Sequence, residues 1–382
     1  MLTRLFLTAS VLMAGCDMTP EYVTVEDVGG GMQLGRYNVV CKGLEMEEEK
    51  TRGYTAGQLG GLDLPIAQEC LCEHGVNAEA GTFDAAILAG LGSTNRDDLL
   101  SCFIDLLDAP NIQNKLELVV ALARTNAPTA RARLQEMVFD TTASADVRAR
   151  AAGSLSGKGD ADYQARLISV LTETGEGLGP VKAAVATILK TNESPEVAEA
   201  LRTVATGEEN PAALRGSALT SLYKLDSAAN RELVCTASIE DPSPEVRIAA
   251  IKLLHGPRKN KKGVAELACL KKKLFTQEDD GKVRQATLEA LKASPRDDVG
   301  KILCDAIPWW VRTYVEDKHP DKMEGANIIE AQNTRDFENT ESCLRKAWNA
   351  GGYTCHGRQY VAAWASDYIY FNPRVPKCPG DL

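Results

Sequence analysis

The sequence predicts an all-α chain, an α-α superhelix with small disulfide-tied caps at its N- and C-terminal ends. Three observations predict it. First, one type of segment recurs at Phe83, Leu116, Val147, Val181, Leu214, Val246 and Val283, a spacing of roughly 33 residues that lies within the period range of helical solenoids. Second, apolar residues inside each copy fall at helical spacing, as in Val246, Ala249, Ala250, Leu253 and Leu254, so one face of the segment is apolar. Third, each copy is followed by a second helical stretch, and Pro or Gly marks the loops, as at Pro211, Pro242, Pro244 and Gly281. A helical pair of this size cannot bury both faces alone, so about seven such pairs over residues 80–307 must stack on one another.

The elements follow in chain order. Arg4 gives a positive start, residues 5–14 form an apolar stretch, and Met13-Ala14-Gly15-Cys16 places small residues before a cysteine, the pattern of an export signal over residues 1–15. Those four residues resemble the lipobox of bacterial lipoproteins, which implies cleavage before Cys16 and acylation of its thiol and new N-terminus. Residues 16–79 read as a tether followed by an N-terminal cap. The tether signal is Gly29-Gly30-Gly31 and the acidic run 45–49, and 37–41 (Tyr-Asn-Val-Val-Cys) reads as a short extended segment.

Within the array the clearest first helices carry Val147-Arg148, Val181-Lys182, Leu214-Arg215, Val246-Arg247 and Val283-Arg284. Second helices are expected near 97–107, 129–138, 163–171, 195–204, 230–238, 264–275 and 298–307. Six positions before the basic residue stands an acid in four of these five copies: Glu176, Glu209, Asp241 and Glu278. This pattern resembles HEAT repeats, part of the HEAT/armadillo-like group, in their short bacterial form with a Val-Arg-x-x-Ala-x-x-Ala-Leu first helix. The resemblance implies that acid and arginine pair along the stack and hold the inter-helix turns, a structural role.

Residues 308–382 hold 11 of the 21 aromatics and all four tryptophans. Helices are expected at 340–350 and 358–369. Tyr360, Trp364 and Tyr368 are four apart and share a face. They are open to two readings, a terminal cap over the last repeat or an aromatic platform for a glycan or peptide.

The chain carries 43 basic and 53 acidic residues, a net charge of −10, which disfavours nucleic acid as a partner for the whole chain. Against that background Lys252, Arg258, Lys259, Lys261, Lys262, Lys271, Lys272 and Lys273 form a local basic run with Glu266 as its one acid. It is either a binding patch for an acidic protein, anionic glycan or lipid headgroup, or a solvated loop and helix end. No apolar stretch reaches the ~18 residues of a membrane-spanning helix.

Of eleven cysteines, setting aside Cys16 leaves ten, an even number that suits up to five disulfides in an oxidising compartment. Proximity favours Cys41 with Cys70 or Cys72, and pairing among Cys343, Cys355 and Cys378. Cys235, Cys269 and Cys304 recur in successive second helices, so either neighbouring units are cross-linked or small thiols fill the core. Cys70, Cys72 and His74 make a Cys-x-Cys-x-His group short of a fourth zinc ligand. The stretch 153–159 (Gly-Ser-Leu-Ser-Gly-Lys-Gly) looks like a phosphate loop but lacks its spacing and its final Ser or Thr. No nucleophile elbow or His-Glu-x-x-His is present, and no motif calls for a cofactor or a metal.

The expected function is therefore non-catalytic: a scaffold or adaptor of the bacterial cell envelope, lipid-anchored to the inner or outer membrane and binding protein or envelope polymer. Two alternatives stand beside it. One is glycan binding or processing through the C-terminal aromatic region, the other a HEAT-type metalloenzyme or lyase.

Overall fold

A computed structural model describes residues 22–92, 94–109, 111–155, 161–255, 264–294, 296, 298–314, 328–350, 353 and 355–368, with the side chains of these except 337, 356 and 363–368. The chain divides into two compact units, residues 1–155 and 156–382. Among the described residues both are all-α apart from one short hairpin in the first, which pairs Val76 with Phe83.

The first unit contains α1 (Val25–Leu34), α2 (Tyr37–Lys42), α3 (Glu49–Gly60), α4 (Pro65–Gly75), β1 (Val76–Asn77), β2 (Thr82–Phe83), α5 (Ala85–Gly90), α6 (Asp97–Leu106), α7 (Lys115–Leu122), α8 (Pro128–Phe139) and α9 (Ala145–Gly153). Its helix starts are written in the sequence. Thr24 and Asp27 form a reciprocal capping box on α1, Asp84 caps α5 through the backbone N–H groups of Ala86 and Ile87, and prolines open α4 and α8. Packing alternates: α1, α3, α5, α7 and α9 contact one another in succession, as do α2, α4, α6 and α8. Leu71, Ile87, Leu99 and Phe103 are among the side chains fully buried in this unit.

The second unit contains α10 (Ala161–Thr172), α11 (Gly179–Ile188), α12 (Pro195–Thr206), α13 (Ala212–Leu225), α14 (Arg231–Glu240), α15 (Pro244–Leu254), α16 (Val264–Leu274), α17 (Gly281–Ala293), α18 (Val299–Tyr314), α19 (Ile328–Arg335), α20 (Thr340–Ala350) and α21 (Cys355–Tyr368). Odd helices α11 to α19 again pack in succession, and α10 meets α12, α14 meets α16, and α18 meets α20. A continuous apolar core runs from Leu219 through Ile251, Leu270, Leu291 and Trp310 to Leu344 and Val361.

Four disulfides follow the same alternation. Cys41–Cys70 ties α2 to α4, Cys72–Cys102 ties α4 to α6, Cys235–Cys269 ties α14 to α16, and Cys304–Cys343 ties α18 to α20. Their sequence separations are 29, 30, 34 and 39 residues, close to one helical pair, and their Cα atoms lie 5.3–5.7 Å apart, within the usual range. Cys355 is also disulfide-bonded. Cys343 thus pairs outside the group Cys343, Cys355 and Cys378: stacking of α20 on α18 brings the Cys304 and Cys343 thiols together across 39 residues. Replacing Cys235 and Cys269 together by alanine is expected to lower unfolding stability by about 2–3 kcal/mol, read from denaturant titration, because the 34-residue loop closure is lost from the unfolded state.

Three further expectations change. Residues 37–41 are not extended but lie in α2, and the triple glycine is not a tether but lies within α1. The reason is close packing: a Cβ on Gly31 would stand 3.2 Å from Val40 Cγ2 and 3.6 Å from Val39 Cβ, so Gly31 lets α1 and α2 touch. The boundary placed at residue 308 falls inside α18, which carries Pro308 in its interior, and α19 continues the succession by packing on α17 and α18.

Candidate functional site

The best-defined polar arrangement lies at the turns that lead into the odd helices. Arg215 of α13 grips Asp241 with two hydrogen bonds, Nε to Oδ2 at 3.1 Å and Nη2 to Oδ1 at 2.7 Å, while its Nη1 donates to the Asn210 carbonyl at 2.6 Å. Arg247 of α15 repeats this on Glu278 at 2.8 and 2.7 Å, with Nη1 on the Asp241 carbonyl at 2.8 Å. Arg284 of α17 keeps the backbone half, donating to the Glu278 and Asp279 carbonyls. Its guanidinium stacks 4.7 Å over the Tyr314 ring, and the Tyr314 hydroxyl accepts from the Glu278 N–H at 2.8 Å. Each arginine thus seals its own turn, and Arg215 and Arg247 also reach the acid of the next, so these cations are spent on internal bonds and are not presented to a ligand.

In the first unit Arg52 of α3 makes the same bonds, to Asp84 at 2.7 Å and to the Met46 and Glu47 carbonyls at 2.7 Å. Reading the sequence for the Val-Arg motif alone misses this rung. Its signal was nevertheless present, an acid 32 residues after the arginine, close to the 31 that separate Arg247 from Glu278.

Glu278 is the most tightly held acid of the series. It is 6 % exposed and also accepts from Lys273 Nζ at 2.6 Å. Burial pushes its carboxyl up, but hydrogen bonds from Arg247 and Lys273 outweigh that and hold it at about 2. Burial pushes the Lys273 ammonium down. This corrects the expectation that Lys273 belongs to a binding patch: it lies under the surface as the partner of Glu278.

Lys271 and Lys272 are exposed in the last turn of α16, ~10 Å along the helix from Val264. Lys259, Lys261 and Lys262 lie outside the described residues, as does Cys16. Tyr360 is buried at 4 % exposure, and burial pushes its phenol far up, so its ring packs in the core and cannot serve as an open platform. Trp364 and Tyr368 sit in α21 with side chains outside those described. An aromatic group the sequence reading missed joins Phe275, Trp309, Trp310 and Tyr314, with ring centroids 4.8–5.8 Å apart where α16 and α18 end.

A shallow cleft of about 270 Å³ crosses α11, α13 and α15. It exists because side chains there are small: a Cβ on Gly216 would meet Ala249 Cβ at 3.8 Å. Thr187, Ser217, Thr220, Lys190, Lys224 and Glu245 are among the residues that line it. Hydrogen bonds from the Ser243 hydroxyl and its own backbone N–H keep the Glu245 carboxyl below its ordinary range. The volume falls below the ~300 Å³ at which clefts begin to enclose a small-molecule ligand. Cys70 and Cys72 are both consumed by disulfides, so the Cys-x-Cys-x-His group has no thiolates for zinc, and no metal-ligand cluster occurs among the described residues.

No protein-family model matches this chain, and no curated protein matches it either.

Proposed function

We propose that this chain is a HEAT-like solenoid lipoprotein of the bacterial envelope, a non-catalytic scaffold or adaptor that offers an extended helical surface to a protein or envelope polymer. The observation that carries this reading is the alternation of packing together with disulfides one helical pair apart. Odd helices line up on odd and even on even, which is how stacked hairpins build a superhelix, and cross-links between neighbours stiffen it without closing a cleft. The arginine–acid rungs support the HEAT resemblance, because they hold the turns between pairs. Disulfides on this scale fit an oxidising compartment, in keeping with the lipobox-like Met13-Ala14-Gly15-Cys16.

Two measurements test it. Mass analysis of the mature protein should find three acyl chains on a new N-terminal Cys16, and Cys16→Ala should release the chain from the membrane fraction. Immobilised mature protein should retain a near-stoichiometric partner from envelope extract, and retention should fall when Lys271 and Lys272 are both changed to Glu. No retained partner would contradict the adaptor reading; an unchanged partner would move the contact away from the end of α16.

A further inference from the structure

We propose that α1 is a membrane-contact element, with Tyr22 and Leu34 entering the headgroup layer of the bilayer to which Cys16 tethers the chain. This rests on the lipid-anchor reading above. A tether running through the triple glycine would hold the folded body away from the lipid, but the body starts earlier. Val23 is fully buried and its N–H meets Met46 Sδ at 3.1 Å, and α1 begins at Val25. Six Cα-to-Cα steps separate Cys16 from Tyr22, and such a length of chain spans at most about 22 Å. An acylated Cys16 therefore keeps α1 within reach of the membrane surface.

The exposed side chains of that helix suit the position. Among the described large hydrophobic residues, Leu34 at 68 % and Tyr22 at 64 % are the two most exposed, and they bracket the two ends of this helix, which is ~15 Å long. Single exposed apolar residues are ordinary, whereas two flanking the helix nearest a lipid anchor need a reason. Tyrosine places an apolar ring and a polar hydroxyl at the interface between lipid and water. From Val28 to Leu34 the helix carries no charged residue, and exposed Arg36 follows, suited to a lipid phosphate. The acids of α1, Glu26 and Asp27, sit in its first turn, where Asp27 is tied to the backbone N–H and hydroxyl of Thr24. α2 and α3 cover the side of the helix around Val28 and Gly31, and Leu34, three residues past Gly31, is left exposed where the helix ends.

The test uses the full lipidated protein in vesicles of phosphatidylethanolamine and phosphatidylglycerol. Leu34→Cys and, as control, Lys50→Cys are labelled with a nitrobenzoxadiazole maleimide; both positions are exposed, and the described native cysteines are already disulfide-bonded. Unsubstituted protein taken through the same labelling supplies the blank, and matching far-ultraviolet circular dichroism confirms the fold. The expected result is a blue-shifted emission at position 34, quenched several-fold more by doxyl lipid than at position 50, with the reverse order for aqueous iodide. Equal iodide quenching at both positions, in protein whose Cys16 carries its acyl mass, would overturn the membrane contact and leave the anchor standing. Absence of the acyl mass would remove the anchor and the proposal together.

Discussion

Replacing Glu278 with alanine is expected to destabilise the fold by about 3–5 kcal/mol, because it leaves buried Lys273 and half-buried Arg247 without their shared counter-charge. The change also removes the carboxylate oxygen that accepts from the Asp280 N–H at 3.0 Å. Chemical denaturation gives the loss directly. Glu278→Gln should recover little of it, since a neutral amide cannot balance two cations. The same group makes stability depend on pH. Its ordinary value is 4.5 and the fold holds it at about 2, so its contribution is complete above about pH 4.5 and disappears as pH falls through about 2. Wild type should therefore lose stability over that interval more steeply than Glu278→Gln, and parallel profiles would remove Glu278 from the account.

Gly90→Ala should have an effect of similar size for a different reason. At this point α3 and α5 cross backbone to backbone. A Cβ on Gly90 would collide with the Gly53 carbonyl oxygen and lie 2.7 Å from the Gly53 carbonyl carbon and 2.8 Å from its Cα. From the other side, a Cβ on Gly57 would stand 3.1 Å from the Gly90 carbonyl oxygen. Backbone atoms cannot swing away as a side-chain tip does, so the helices must separate. That costs about 3 kcal/mol and pulls Arg52 from Asp84, which caps the start of α5. Gly30→Ala, where nothing lies within 4 Å, should be neutral or slightly stabilising by comparison. A Gly90→Ala protein as stable as wild type would show that this crossing is looser than described.

What the sequence made legible was periodicity. Apolar spacing and capping residues located most helices to within a residue or two, including α20 at 340–350, and the acid–arginine pairing that the repeat resemblance implied has its counterpart in Arg247–Glu278. What stayed hidden depended on contacts between segments. Three consecutive glycines read as a tether because their poor helix propensity is local, while their use, letting Val40 approach Gly31, belongs to tertiary packing. Val39 and Val40 suggested extended backbone, yet α2 must present Cys41 to Cys70 on α4. Lys273 looked like one of three solvent lysines, although it stands three and six residues after buried Leu270 and Leu267, on the apolar stripe of α16. A run of like charges masked that spacing. Tyr360 shows the same limit: its place on a helix face was visible, but whether its own ring looked inward was decided by α18 and α20 packing against α21.

The claim on which the account turns is that helical pairs stack in order and are stapled one pair apart. Peptide mapping of the non-reduced mature protein tests it most directly. The expected linkages are Cys41–Cys70, Cys72–Cys102, Cys235–Cys269 and Cys304–Cys343, each joining one even helix to the next. Free thiols at these positions, or linkages that skip a pair such as Cys41–Cys102 or Cys235–Cys304, would contradict it.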